Sequence, residues 1–350
     1  MKNKKLIKIL VVLGVLAVVA LIAGVCFFRT SVRANSDSDV QDTAAANEAE
    51  KPAIKQVKIT DHSVLSEVKE YDEDGKILKQ DYYENGTKIR TSFTFTYEGE
   101  NLVSEVAEKD NGTFDYEKKK YDEDGNLIEV YRGKEEDKLY LDEKNTYEDG
   151  LIRKRINYNE DGSIWDYHEY EYENGRLVKD TTKLESDYIY RTYEYVYDEN
   201  GKLDQMTDTM HEHKSVCTYD DEERLVFEQN YYNGEPSFTT EYKYGEYGET
   251  EYIYTDSDGK VTIHTIKDYD DKGRLKCASN VDENGAKTIY ATWEYDEAGN
   301  LLHHVDMSGY EYTAEYNEYG YPVKVHDVCT DMMRNAGRYD YLYEYEYTYY

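Results

Sequence analysis

The chain has 350 residues, with 75 acidic against 42 basic side chains, a formal net charge of −33 and 41 tyrosines. Lys2, Lys4, Lys5, Lys8, Arg29 and Arg33 lie in an acid-free stretch at positions 1–34, so the rest carries 36 basic against 75 acidic groups, a net of −39. Such a field repels phosphate backbones and anionic head groups and argues against a nucleic-acid partner, while it favours Ca²⁺, cationic protein segments or neutral ligands held by stacking.

In chain order, the first expected element is a helix. Ile9 to Phe28 is an unbroken apolar run of 20 residues behind a lysine-rich start, long enough to cross about 30 Å of hydrocarbon. The flanking charges place the N-terminus in the cytoplasm and the rest of the chain outside. Val32-Arg33-Ala34 also has the small-residue spacing of a signal-peptidase site, so positions 1–34 read as a cleaved signal peptide or a retained transmembrane anchor. Either makes the protein extracytoplasmic, secreted or membrane-anchored. Positions 35–56, rich in Ser, Asp, Ala, Glu and Asn without apolar periodicity, read as a disordered acidic tether.

From position 57 to 350 the chain repeats. A tyrosine-led turn begins at Tyr71, Tyr97, Tyr121, Tyr147, Tyr172, Tyr197, Tyr219, Tyr244, Tyr269, Tyr295 and Tyr316, as in YDEDGKIL at Tyr71 and YDEAGNLL at Tyr295. Eleven copies about 25 residues apart mark units that stack to bury their apolar faces. Around them side chains alternate with period two, as in Phe93, Phe95 and Tyr97 or in Tyr193, Tyr195 and Tyr197, which is the pattern of half-buried strands. Asp74-Gly75, Asp124-Gly125 and Asn200-Gly201 supply the positive φ of tight hairpins. A second turn signal falls between motifs, for example at Asn85-Gly86, Asp161-Gly162 and Asn284-Gly285, so each repeat holds two strands and two turns. The expected fold is all-β: an antiparallel meander of about 22 strands, curled or spiralling because twist accumulates in so long a sheet. Its Tyr and Leu face is expected to turn inward and its Lys, Glu and Asp face to meet solvent.

The YDxxGxL unit at Tyr121, Tyr197, Tyr269 and Tyr295 resembles the YD repeat of Rhs and wall-associated bacterial surface proteins. The resemblance covers Tyr71 to the C-terminus. It implies a spiralling sheet able to form a hollow shell at the bacterial surface or around a secreted toxin, and carbohydrate binding. The chain has no proline- and glycine-rich segment of the kind that closes an Rhs shell, which argues against a self-cleaving toxin cage. Stretches such as DYYENGTKI at Asp81 are similar, at second rank, to MORN-like repeats.

Carboxylates are abundant but concentrate at turn tips, where Asp and Asn serve backbone geometry; no catalytic residue is assigned. No EF-hand, zinc-protease, nucleophile-elbow, P-loop or dinucleotide fingerprint is present. No metal ligand set and no cofactor is assigned, with weak Ca²⁺ binding at stacked turn tips left open. His211 and His213 share a spacing two metal ligands would need, without a third ligand. Cys217, Cys277 and Cys329 fall at different phases of the repeat and read as buried thiols, a bridge among them remaining an alternative. Trp165, Trp293, Tyr341, Tyr343, Tyr345 and Tyr347 are the candidate ligand-binding residues, because aromatic faces stack on sugars and anchor interfaces. These features describe a non-enzymatic surface protein that binds a cell-surface glycan or protein, with two alternatives: a structural shell or scaffold without its own ligand, and an envelope glycosidase.

Overall fold

The computed structural model describes residues 51–329 and 339–350; the N-terminal helix expected at 1–34 and most of the tether lie outside the described residues. Residues 51–350 form one compact unit, and the described residues contain strands and turns but no helix. In chain order the strands are β1 (Ile54–Asp61), β2 (Val64–Tyr71), β3 (Ile77–Glu84), β4 (Lys88–Glu98), β5 (Asn101–Lys109), β6 (Phe114–Tyr121), β7 (Leu127–Gly133) and β8 (Tyr140–Glu148). There follow β9 (Leu151–Tyr158), β10 (Ile164–Glu173), β11 (Arg176–Leu184), β12 (Ile189–Tyr197), β13 (Leu203–Met210), β14 (His213–Tyr219), β15 (Leu225–Tyr232) and β16 (Glu235–Gly245). The last are β17 (Gly248–Thr255), β18 (Val261–Tyr269), β19 (Leu275–Val281), β20 (Lys287–Tyr295), β21 (Leu301–Asp306), β22 (Tyr310–Tyr316), β23 (Pro322–Cys329) and β24 (Tyr339–Tyr349).

Every strand pairs antiparallel with its sequence neighbours, and β1 also pairs with β24. The spiral expected from the sequence is therefore corrected to a closed barrel of 24 strands. The eleven motif hairpins supply β2 to β23. The two flanking strands, which carry no motif turn, meet in the register Val57↔Tyr347, Ile59↔Tyr345 and Asp61↔Tyr343. The seam is tied further by His62 N donating to Leu342 O at 2.9 Å, Leu342 N to Asp61 Oδ1 at 2.9 Å and Tyr350 N to Ala53 O at 3.1 Å. Closure has a local cause repeated around the sheet. In each motif hairpin the register slips beside the motif tyrosine, as between Lys120 and Tyr121 or Glu294 and Tyr295. Bulges of this kind bend a strand and increase its twist, and one per repeat along one rim curls the sheet until its ends meet.

The motif residues have specific tasks at that rim. Asp122 Oδ1 accepts backbone N–H bonds from Asp124 at 3.0 Å and Asn126 at 2.8 Å, and Asp198, Asp220 and Asp270 do the same in their own turns. Each turn glycine takes positive φ, +84° at Gly125 for example, where a Cβ costs free energy. The tyrosine reaches back one repeat. Tyr121 OH donates to Leu102 O at 3.0 Å, Tyr147 to Leu127 O at 3.2 Å, Tyr197 to Leu177 O at 2.8 Å and Tyr244 to Leu225 O at 2.8 Å. A basic residue at or just past the turn lies over the next motif ring: Arg153 over Tyr172 at 5.0 Å, Arg224 over Tyr244 at 4.6 Å and Arg274 over Tyr295 at 4.9 Å. Neighbouring repeats are thus stapled by a hydroxyl bond, as at Tyr121 and Tyr147, by a cation–π contact, as at Tyr172 and Tyr295, or by both, as at Tyr197 and Tyr244.

Among the described residues, strands approach only their ladder neighbours and no second layer packs on the sheet. Twenty-four strands about 4.8 Å apart make a perimeter on the order of 115 Å, too wide for side chains to fill. On a closed sheet, side chains converge on the concave side and splay on the convex side. Most buried residues, among them Ala107, Val130, Asn145, Asp180, Tyr193, Cys217, Glu228, Thr240, Ala278, Ala291, Ala314 and Val325, share the face that carries the motif tyrosines, so that face lines the lumen.

The faces are not segregated as the sequence suggests, because the tyrosine face also holds a charged network. Arg191 Nε donates to Asp208 Oδ1 at 2.8 Å, and Glu228 Oε1 accepts from Ser215 at 2.6 Å and Asn230 at 2.8 Å. The convex face is charged at mid-strand: Lys183 meets Glu169 at 2.6 Å, and Glu251 meets both Lys243 and His264 at 2.6 Å. A lysine facing lipid at the bilayer midplane costs about 2–4 kcal/mol; with both faces so charged, the barrel wall is built for water.

Candidate ligand-binding surfaces

The six aromatic candidates fall in three places. Trp165, in the bulge at the start of β10, is 65% exposed near the rim opposite the motif turns. Trp293, ten strands away on β20, stacks on His304 of β21 with ring centroids 4.5 Å apart. Tyr341, Tyr343, Tyr345 and Tyr347 line one face of β24, with Tyr341 on Tyr343 at 5.6 Å and Tyr345 on Tyr347 at 6.4 Å. This strand is not an open edge: β23 covers one side and β1 the other. Tyr347 OH donates to Pro322 O at 2.8 Å, the same backward reach as the motif tyrosines.

The histidine pairs separate. His211 is a turn residue at φ +52°, bonded through Nδ1 to Tyr188 OH at 2.9 Å and edge-on to Tyr190 at 5.2 Å. His213 begins β14 and packs on Tyr232 at 5.0 Å. The shared strand face expected for the two rings is therefore absent, because the hairpin turns between them. His303 and His304 point to opposite faces, His303 toward Glu311 at 3.5 Å. Cys217 is buried, Cys277 and Cys329 are half-buried, and no disulfide joins them.

Two further groupings went unread in the sequence. The first is a rim patch on neighbouring hairpins: Leu184, Tyr188, Ile189, Tyr190 and Tyr232 are between 36% and 54% exposed and surround His211 and His213. Its signal was the run Tyr188-Ile189-Tyr190, beside a turn without the YDxxG pattern. The second lies in the lumen near the seam. Asp327 of β23 stands directly opposite Tyr312 of β22 and Tyr341 of β24. Its Oδ1 is shut off from solvent and meets no hydrogen-bond donor among the described residues. Burial raises the Asp327 carboxyl above its ordinary value, and burial also raises Tyr310 and Tyr343, with the Asp327 charge adding to both. Elsewhere in the lumen, burial pushes the Tyr170 hydroxyl up to about 12.

The turn carboxylates behave oppositely. Backbone N–H bonds, from Lys202 and Arg274 respectively, hold Asp198 and Asp270 below the ordinary carboxylate range. Their Oδ1 atoms are occupied by the turns they shape.

No protein-family model and no curated protein sequence matches the chain. Among solved structures, the chain is similar to the Photorhabdus luminescens Tc holotoxin pore carrying a TccC3 mutation, at 12% identity and a TM-score of 0.40 over 79% of this chain and 18% of that one. TcdB2-TccC3 without its hypervariable C-terminal region gives 13% and 0.41 over 79% and 18%. A porin-like protein from Bacteroides uniformis gives 11% and 0.25 over 84% and 98%. The chain thus spans about a fifth of the toxin chains.

Proposed function

We propose that this is an extracytoplasmic, non-enzymatic barrel that binds a cell-surface glycan or protein through its aromatic surfaces. The carrying observation is the rim patch, where Tyr188, Ile189, Tyr190 and Tyr232 are held 40–54% exposed among the imidazoles of His211 and His213, with Trp165 on β10, two strands from Ile189 and Tyr190. Exposed rings on a rigid hydrogen-bonded frame, interleaved with groups that donate and accept, combine stacking with orientation. The apolar run at Ile9–Phe28 supports export, with membrane attachment if it is retained. The turn carboxylates give catalysis no support, because their Oδ1 atoms are occupied by backbone N–H groups.

Closure of the sheet favours a second reading, a shell or spacer whose lumen surrounds another component. A glycan array probed with the full-length protein in detergent, with and without Ca²⁺, separates the two. Saturable binding to one glycan class, weakened by Tyr190→Ala and accompanied by quenching of Trp165, supports the binding protein. Silence across the array, with Trp165 unperturbed, removes the glycan arm and favours the shell. Loss of binding on chelation alone would show that Ca²⁺ takes part.

A further inference from the structure

Asp327 has an environment that carboxylates seldom occupy. On the lumen face, the ladder sets Tyr312 and Tyr341 beside it, side chains about 5 Å apart at Cβ in such pairs. Tyr310 and Tyr343 occupy the diagonal positions, and both feel its charge. Tyr341 and Tyr343 are stacked with ring centroids 5.6 Å apart and form a paired aromatic wall beside it. No ion pair reaches Asp327 from the described residues, although carboxylates elsewhere on this face have partners, such as Asp208 with Arg191 and Glu249 with Lys267 at 2.8 Å. The faces of aromatic rings are themselves negative. A carboxylate set among four tyrosines, one oxygen cut off from water and meeting no donor among the described residues, is held at a cost to stability.

The missing counterpart is defined by that chemistry. A metal ion would seek several oxygen or nitrogen ligands, and only one carboxylate is present. A neutral sugar would leave the charge uncompensated. An alkylammonium group satisfies both features at once, its charge against the carboxylate and its hydrocarbon surface on the rings. We infer that Asp327, with Tyr310, Tyr312, Tyr341 and Tyr343, forms a site in the barrel lumen for an organic ammonium group. The net charge of −33 draws such cations toward the barrel. This site is separate from the rim patch and does not rest on the glycan reading.

Isothermal titration of the full-length protein in a maltoside detergent tests it, with choline as the quaternary probe, spermidine as the primary and secondary amine probe, and neohexanol as the uncharged isostere of choline. Saturable binding of choline or spermidine, with none of neohexanol, is expected. The preferred probe tells which ammonium class is bound. Asp327→Asn keeps shape and removes charge, and should weaken binding about tenfold or more while melting no lower than wild type. Tyr341→Phe should bind as wild type, and Tyr312→Leu several-fold more weakly, which separates ring faces from hydroxyls. Failure of both cations to bind, equal binding of neohexanol, or unchanged affinity in Asp327→Asn would overturn the assignment.

Discussion

The backward reach of the motif tyrosine makes a quantitative prediction. Tyr244 donates its hydroxyl to Leu225 O at 2.8 Å and carries the Arg224 guanidinium 4.6 Å from its ring centre. Tyr244→Phe removes only the hydrogen bond, worth about 1 kcal/mol. Tyr244→Leu also removes the cation–π contact, about 0.5–1 kcal/mol more at a half-exposed site. Tyr121, Tyr147, Tyr197 and Tyr269 make the same kind of bond; with Tyr244 they lie on β6, β8, β12, β16 and β18, at least two strands apart, and distant sites add. Changing all five to Phe should therefore cost about 5 kcal/mol. With an unfolding entropy of about 2.1 cal/mol/K per residue over roughly 300 residues, this corresponds to a fall in Tm of about 8 °C. Thermal and urea melts of the single and fivefold variants measure it. If the fivefold Phe variant melts with wild type, the hydroxyl staples do not hold the repeats together and the reasoning fails.

Three other outcomes follow from the same geometry. Because Asp198 and Asp270 are held below their unfolded value, the stability they contribute is present above about pH 4 and is lost as pH falls through the lowered folded value; replacing both by Asn should flatten the acid limb of Tm against pH. Asp327 is raised instead, so its ionised form opposes folding and the penalty lifts as pH falls through the raised value; Asp327→Asn should raise Tm at pH 7, and a drop there would refute the unpartnered carboxylate. Gly201 and Gly162 both have φ near +80°, but a Cβ at Gly201 meets the Arg176 guanidinium while Gly162 faces open space. Both Ala variants should lose stability by about 1 kcal/mol from backbone strain, and Gly201→Ala should lose more because Arg176 must leave the Tyr197 ring.

The motif made the body of the sheet legible. Eleven YDxxG-type turns foretold β2 to β23, the placement of glycine at positive φ, and the structural use of the turn aspartates. Closure was hidden because it belongs to Ile54–Asp61 and Tyr339–Tyr349, which carry no motif turn and meet only after the bulges at Tyr71 to Tyr316 have bent every repeat between them. The Tyr341 to Tyr347 row was legible as one face of a strand, but its capping by Val57 and Ile59 was not. Asp327 carries no local signal in PVKVHDVC; only the register on both sides brings Tyr312 and Tyr341 beside it. The division into an apolar tyrosine face and a charged face failed for a related reason. A lumen open to water tolerates Arg191, Asp208 and Glu228 beside the rings, and their cross-strand partners lie some 13 to 17 residues away in sequence.

The barrel exists only because β1 closes on β24. Lys58 and Glu346 are directly opposite across that seam, with Cβ atoms about 5 Å apart in such a pair. Spin labels placed at these two positions, in a chain whose Cys26, Cys217, Cys277 and Cys329 are replaced by Ser, would report the distance in solution. The closed barrel predicts strong dipolar broadening from labels within about 15 Å, two tethers beyond the Cβ separation. A spectrum without broadening, and a pulsed measurement placing the labels tens of ångströms apart, would contradict closure and return the sheet to an open spiral.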